Sequence, residues 1–173
     1  MERWDVYDIN RIKTGKTVIR AEDTLGEGEY HLVAMIVVFS SDGRMLIQKR
    51  KETKAGWPGM WDISAGGAVT SGEDSALGAE RELFEEIGIR HSFMGVRPRF
   101  SISHKLGFAD CYIITKDVDP SALKLQETEV DEVKYATIDE ILAMIEDGIF
   151  IPYYESVIRL MFDMRDSYGV HKR

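Results

Sequence analysis

Residues 67–89 read Gly67-Ala-Val-Thr-Ser-Gly72-Glu73-Asp-Ser-Ala-Leu-Gly78-Ala-Glu-Arg81-Glu82-Leu-Phe-Glu85-Glu86-Ile-Gly88-Ile89. The fixed positions reduce to G-x5-E-x7-R-E-U-x-E-E-x-G-U, with U aliphatic. Seven fixed residues at about 7% each, with two aliphatic positions, coincide by accident in roughly one of 10⁹ windows. The spacing predicts a loop running into a helix. Gly66, Gly67 and Gly72 give the loop its tight backbone, and Gly78 lets a neighbour approach the helix closely. Ser71 or Gly72 serves as N-cap, Glu73 and Asp74 place negative charge in the first turn, and Gly88 ends the helix. Leu77, Glu80, Phe84 and Ile87 recur at three- and four-residue spacing as the buried stripe.

Glu82, Glu85 and Glu86 sit at i, i+3 and i+4, so their carboxylates crowd one face of that helix. Like charges at these spacings repel, which calls for a cation between them. Carboxylate oxygens suit a hard divalent ion, Mg²⁺ or Mn²⁺, that also grips substrate phosphates. A solvated acidic face is the plain alternative for any Glu cluster. The register of Gly67, Glu73 and Arg81 with it argues for the ion.

Every fixed position of the stretch matches the Nudix box, and the chain resembles the Nudix hydrolases, which cut diphosphate linkages in nucleotides and related compounds. The resemblance implies an α/β fold, an α/β/α sandwich around a mixed β-sheet. It implies that Glu82, Glu85 and Glu86, with the backbone carbonyl near Gly66, hold the metal. It also implies that Glu73 and Arg81 brace the loop against the helix, and that Glu85 or Glu86 acts in catalysis. In many members the general base lies on a later loop. Glu132 and Glu129, in the acidic stretch 127–132, are the candidates for that role, with solvated acid as the alternative.

Composition sets the bounds. A chain of 173 residues with 44% hydrophobic content suits one domain over 1–173, with residues 1–28 as an N-terminal extension. The net charge of −8 disfavours binding to a nucleic-acid polymer. It is compatible with a small polyanionic substrate when metal ions lie between the two. The single Cys111 excludes an internal disulfide and reads as a buried small hydrophobe. The polar N-terminus and the short apolar runs predict a cytoplasmic protein with no membrane segment.

Along the chain, residues 4–9 and 16–20 predict an extra N-terminal β-hairpin turning at 10–15. Strands are expected at 31–39, 44–50, 60–65, 93–103, 109–115 and 133–136. Thr137 to Glu140 is a capping box, opening a helix with Ile141, Leu142 and Ile145 inward. A last helix over 154–167 carries Val157, Leu160, Met161 and Met164 on one stripe, a core or homodimer contact.

The hairpin, with Gly28-Glu-Tyr-His31, Leu46-Ile-Gln-Lys-Arg50 and Trp57-Pro-Gly59, is similar to the isopentenyl-diphosphate-isomerase-like group of Nudix proteins. Isomerases of that group carry a catalytic Cys shortly after the position of Trp57, and several metal-binding His. Here residues 60–65 contain neither Cys nor His, and only His31 has a counterpart. The complete box favours a hydrolase over an isomerase or a silent nucleotide-sensing domain. His31 is expected to cap a strand or bond backbone. Lys49 and Arg50 are candidate phosphate contacts, and Trp57 either stacks on a ring or packs on its loop. Specificity is assigned to loops 51–59, 104–108 and 120–131.

Overall fold

The computed structural model describes residues 2–171. The strands are β1 (Arg3–Tyr7), β2 (Lys13–Ile19), β3 (His31–Phe39), β4 (Met45–Arg50), β5 (Trp61–Asp62), β6 (Ala65–Ala68), β7 (Phe100–His104), β8 (Gly107–Thr115) and β9 (Val130–Ala136). The helices are α1 (Ser75–Ile87), α2 (Ile138–Glu146) and α3 (Glu155–Asp163), with a 3₁₀ turn at Pro120–Ala122.

β3 organises the sheet because its run of Val, Ile, Met and Phe is buried on both faces, as a central strand requires. It pairs in parallel with β8 along its whole length, from His31 opposite Gly107 to Phe39 opposite Thr115. On its other edge β4 is bonded to it only at Val38 and Phe39, beside the Ser41-Asp42-Gly43 turn, and then diverges. Residues 61–68 fill the opening. β5 lies along β4, with Gln48 opposite Asp62, and β6 lies along β3, with Met35 opposite Gly66. Ser64 bridges the split: the N–H of Val38 donates to its hydroxyl, which donates to the Leu46 carbonyl. The far edge of β4 carries β9, and β7 closes the other side of the mixed sheet.

Alternation sorts the side chains into two apolar layers. Ala34, Ile36, Val38 and Leu46 meet α1, whereas Met35, Val37, Phe39, Met45 and Ile47 meet α2 and α3. The β1–β2 hairpin is docked at several points, and Asp5 accepts from both the Ser71 hydroxyl and the Gly72 N–H. Tyr7 and Tyr30 exchange backbone hydrogen bonds, and Arg11 pairs with the buried Asp110, which also accepts from Ser101. No helix among the described residues is long and apolar enough to cross a membrane.

Several sequence expectations shift. The first glycines of the box lie in β6 rather than in a loop, and α1 is capped by Asp74, whose side chain accepts from the Leu77 N–H. Glu73 therefore precedes the helix. The buried face of α1 is Gly78, Ala79, Leu83, Glu86 and Ile87, while Leu77 and Phe84 are 49% and 41% exposed. The helix is thus turned by about one residue, or ~100°, from the expected stripe. Val69 is the reason at one end, since a Cβ on Gly78 would lie 2.9 Å from its Cγ2. At the other end Glu86 must reach β6. The close approach expected at Gly78 and the helix end at Gly88, with φ 73°, both hold.

The strand expected over 93–103 is confined to Phe100–His104, because Glu80 takes the Phe93 N–H at 2.6 Å and Phe93 turns into the core. Residues 104–108 are a tight β7–β8 hairpin rather than a loop. The first hairpin turns at 8–12, so Lys13–Gly15 are already strand. α2 has the expected capping box and buries Met144 beside Ile141. α3 ends at Asp163 and buries Ile158 and Met161, leaving Leu160 at the surface. Cys111 is fully buried, and burial pushes its thiol well above its ordinary pKa.

Candidate active site

Beside β6, where β3 and β4 have diverged, lies a cavity of about 340 Å³. Gly66, Gly67 and Ala68 of β6 form one wall, and Arg81, Glu82 and Glu85 of α1 stand over it. Glycine at position 67 makes room for the Glu82 carboxylate as it stands, since a Cβ there would lie 2.4 Å from Glu82 Oε1. The box thus sets its first glycine against the Glu82 carboxylate.

Glu86 lies deeper, 2% exposed. Its Oε2 accepts from the Gly66 N–H at 3.0 Å and from Gln48 Nε2 at 2.9 Å. Burial, and then the neighbouring Glu82, push its carboxyl up to about 8. Burial also raises Glu82. Arg81 spans the group, donating to Glu73 Oε1 at 2.9 Å, Glu82 Oε1 at 2.7 Å, Glu85 Oε2 at 3.2 Å and the Ala68 carbonyl at 3.0 Å. Burial works against the guanidinium charge, but Glu73 and Glu82 more than offset it and hold it far above its ordinary pKa. The brace between Glu73 and Arg81 therefore exists as geometry.

The donor set suits a hard cation. Carboxylates from one helical turn lie beside the Gly66–Gly67 wall, and a raised Glu86 is an acid that lacks a counter-charge. As they stand, no three His, Cys, Asp or Glu side chains among the described residues converge closely enough to hold an ion. Glu82 and Glu85 are turned to Arg81, while Glu86 is turned to Gly66 and Gln48.

The other candidates separate. Arg50 lines the cavity, with Nε on the Gly56 carbonyl at 3.0 Å and Nη1 3.4 Å from Asp62 Oδ2. Glu129 also lines it, ion-paired with Lys54. Lys49 and Glu132 do not. β9 begins at Val130, three residues earlier than expected, so Glu132 stands opposite Lys49 in the β4–β9 ladder and is exposed. Trp57 is half exposed and lies outside the cavity lining.

Residues that the sequence reading did not single out complete the walls. Asp62, 8% exposed, accepts from the Tyr153 hydroxyl at 2.9 Å and from the Ile63 N–H at 2.8 Å, and burial raises its carboxyl. Tyr153 arrives because the 149–151 segment bonds to Trp61 through both its N–H and its carbonyl. The hairpin contributes Glu2, Trp4 and Arg20. Glu2 accepts from Trp4 Nε1 at 2.7 Å and from Arg20 Nη1 at 2.6 Å.

His31 does not hydrogen-bond backbone through its ring as expected. It stacks on Trp4 at 4.7 Å and meets His104 edge-on at 5.8 Å, and its Nδ1 is buried without a partner. Burial, then His104 and Arg20, lower its pKa to about 4, so the ring is neutral at physiological pH. One sequence signal could have found Gln48. It shares an inward-facing strand position with Leu46, where a polar side chain needs a partner. Nothing local marks Asp62 or Tyr153.

Comparison with known proteins shows the family to which this fold belongs. Residues 29–154 match the family model described as the NUDIX domain. An uncharacterized Nudix hydrolase of Listeria monocytogenes is 43% identical over 171 residues, covering 99% of each chain. The crystal structure of DR0079 from Deinococcus radiodurans superposes with a TM-score of 0.75 at 22% identity, over 91% of this chain and 98% of that one. A bifunctional NMN adenylyltransferase/ADP ribose pyrophosphatase from Francisella tularensis, complexed with AMP and a Mn ion, superposes with a TM-score of 0.58 at 18% identity, over 78% and 42%. With its box complete and its length matched, the chain belongs to the Nudix family and is a pyrophosphohydrolase of that fold.

Proposed function

We propose that the protein hydrolyses the diphosphate linkage of a nucleoside diphosphate-X type substrate, using Mg²⁺ or Mn²⁺ held by Glu82, Glu85, Glu86 and the Gly66 carbonyl. The observation that carries this reading is that Glu82 and Glu85 of α1 line one cavity beside the Gly66–Gly67 wall, while Glu86, buried one turn on, is bonded to the Gly66 N–H of that wall and raised by burial. When bound, the ion neutralises the diphosphate and lowers the pKa of water. Arg81 keeps Glu73, Glu82 and Glu85 in register through its four contacts. Arg50, fixed by Gly56 and Asp62, contacts a phosphate oxygen. Glu129 takes the proton of the attacking water, after its pair with Lys54 opens. Its place in the cavity favours it over Glu132.

Glu2, Trp4 and Arg20 precede residue 29, where the family match begins, yet they line the same cavity. The hairpin therefore reads the group X. The Francisella relative is named for ADP ribose, which makes ADP-ribose the first compound to try. The test is a panel of ADP-ribose, nucleotide sugars, dinucleotide polyphosphates and coenzyme diphosphates in ¹⁸O-water. The expected result is hydrolysis of at least one member with Mg²⁺ or Mn²⁺, abolished by EDTA, with the label on one phosphorus. Hydrolysis that persists in EDTA, or a panel left intact with both ions, contradicts the reading.

A further inference from the structure

Gln48 is a deeply buried polar side chain bonded to Glu86, 1% exposed. It lies on β4, paired with Val133 of β9 on one edge and Asp62 of β5 on the other, so the backbone gives it little freedom. One arm of its amide works: Nε2 donates to Glu86 Oε2 at 2.9 Å. The other arm, Oε1, is buried with no hydrogen-bond partner. An unmet buried acceptor costs about 1–3 kcal/mol. Turning the amide over would set Oε1 against the Glu86 carboxylate, acceptor against acceptor, and lose the one bond it makes.

We propose that Gln48 is a positioning residue for the divalent ion. With the Gly66 N–H it pins one oxygen of Glu86, so the other is directed at the cation. Its unpaired carbonyl would then be the acceptor left over for a water carried by the ion. The inference rests on the metal-dependent reading above. It adds a residue outside the box, and a role that the box does not specify. The amide does the same work that hydrogen-bond partners of metal ligands do elsewhere, where their loss typically weakens binding about 10–100-fold.

The experiment is Mn²⁺ titration of the full-length protein, followed by calorimetry and by the electron paramagnetic resonance of free Mn²⁺. Gln48→Met keeps length and volume but removes both polar arms. Gln48→His restores an N–H at about the same reach. The expected result is a Mn²⁺ affinity reduced roughly 10–100-fold in Gln48→Met and largely recovered in Gln48→His. Thermal melting of both variants in EDTA should show that they remain folded. Equal Mn²⁺ affinity in Gln48→Met and the unaltered protein overturns the role of Gln48 and leaves the hydrolase reading standing. A Gln48→His variant as weak as Gln48→Met overturns it as well, because a donor would then not be what matters. Absence of Mn²⁺ binding by the unaltered protein overturns both.

Discussion

Glu86→Gln will lower kcat by roughly three orders of magnitude at saturating Mg²⁺, with the fold intact. Glu86 is buried at the junction of α1 and β6, and the amide can still accept from the Gly66 N–H and Gln48. What disappears is the negative charge available to a cation, and loss of a group that acts with others costs nearly the whole effect of the set. The same variant has a second signature. Without metal, the folded carboxyl titrates near 8 against an ordinary value of 4.5. The folded pKa is raised, so the unfolded chain releases its proton first. The stability contributed is full below about 4.5 and is lost as pH rises through about 8. In EDTA the unaltered protein should lose a few kcal/mol over that window, by denaturant titration, and Glu86→Gln should lose distinctly less. A variant that keeps kcat within tenfold removes Glu86 from the ligand set.

The second large effect concerns the sheet rather than the chemistry. Gly107 opens β8 and stands opposite His31 at the start of the parallel ladder. A Cβ at this position would lie 1.9 Å from the His31 carbonyl oxygen and 2.8 Å from its backbone N and C. Backbone, unlike the tip of a side chain, cannot swing aside. Gly107→Ala must therefore break the ladder at its first rung or push β8 away from β3. The expected cost is about 3 kcal/mol, which for a domain of this size lowers Tm by roughly 6–12 °C. Gly56→Ala is the control, since nothing lies within 4 Å of a Cβ there. Chemical denaturation checks both, and a Gly107→Ala loss below 1 kcal/mol would show that the start of β8 yields more readily than its packing implies.

The contrast between residues that could be read and residues that could not follows from range. The box is local: its carboxylate spacing, its closing Gly88 and the close approach at Gly78 depend on neighbours within two or three turns. The buried face of α1 is not local. Leu77 and Phe84 look like core by size, yet Arg90 covers Phe84 at 3.9 Å from the ring centroid while the smaller Ala79 faces β3. Glu80 resembled a stripe residue and instead ends the expected strand by capturing Phe93. Asp62 and Tyr153 meet at the cavity, and Gln48 reaches Glu86 behind it, because β3 and β4 diverge, a tertiary event with no short-range mark. Lys49 and Arg50 illustrate the same limit. They are adjacent, but a register shift between them in the β4–β9 pairing accompanies their separation, with one in the cavity wall and one outside it.

The most direct measurement is a crystal soaked in Mn²⁺ and read at the manganese absorption edge. An anomalous peak within bonding distance of Glu82, Glu85 or Glu86 and of the Gly66 carbonyl, with Arg81 moved off at least one carboxylate, is the predicted result. A featureless map at that wall, with the carboxylates still turned to Arg81 and Gln48, would contradict it.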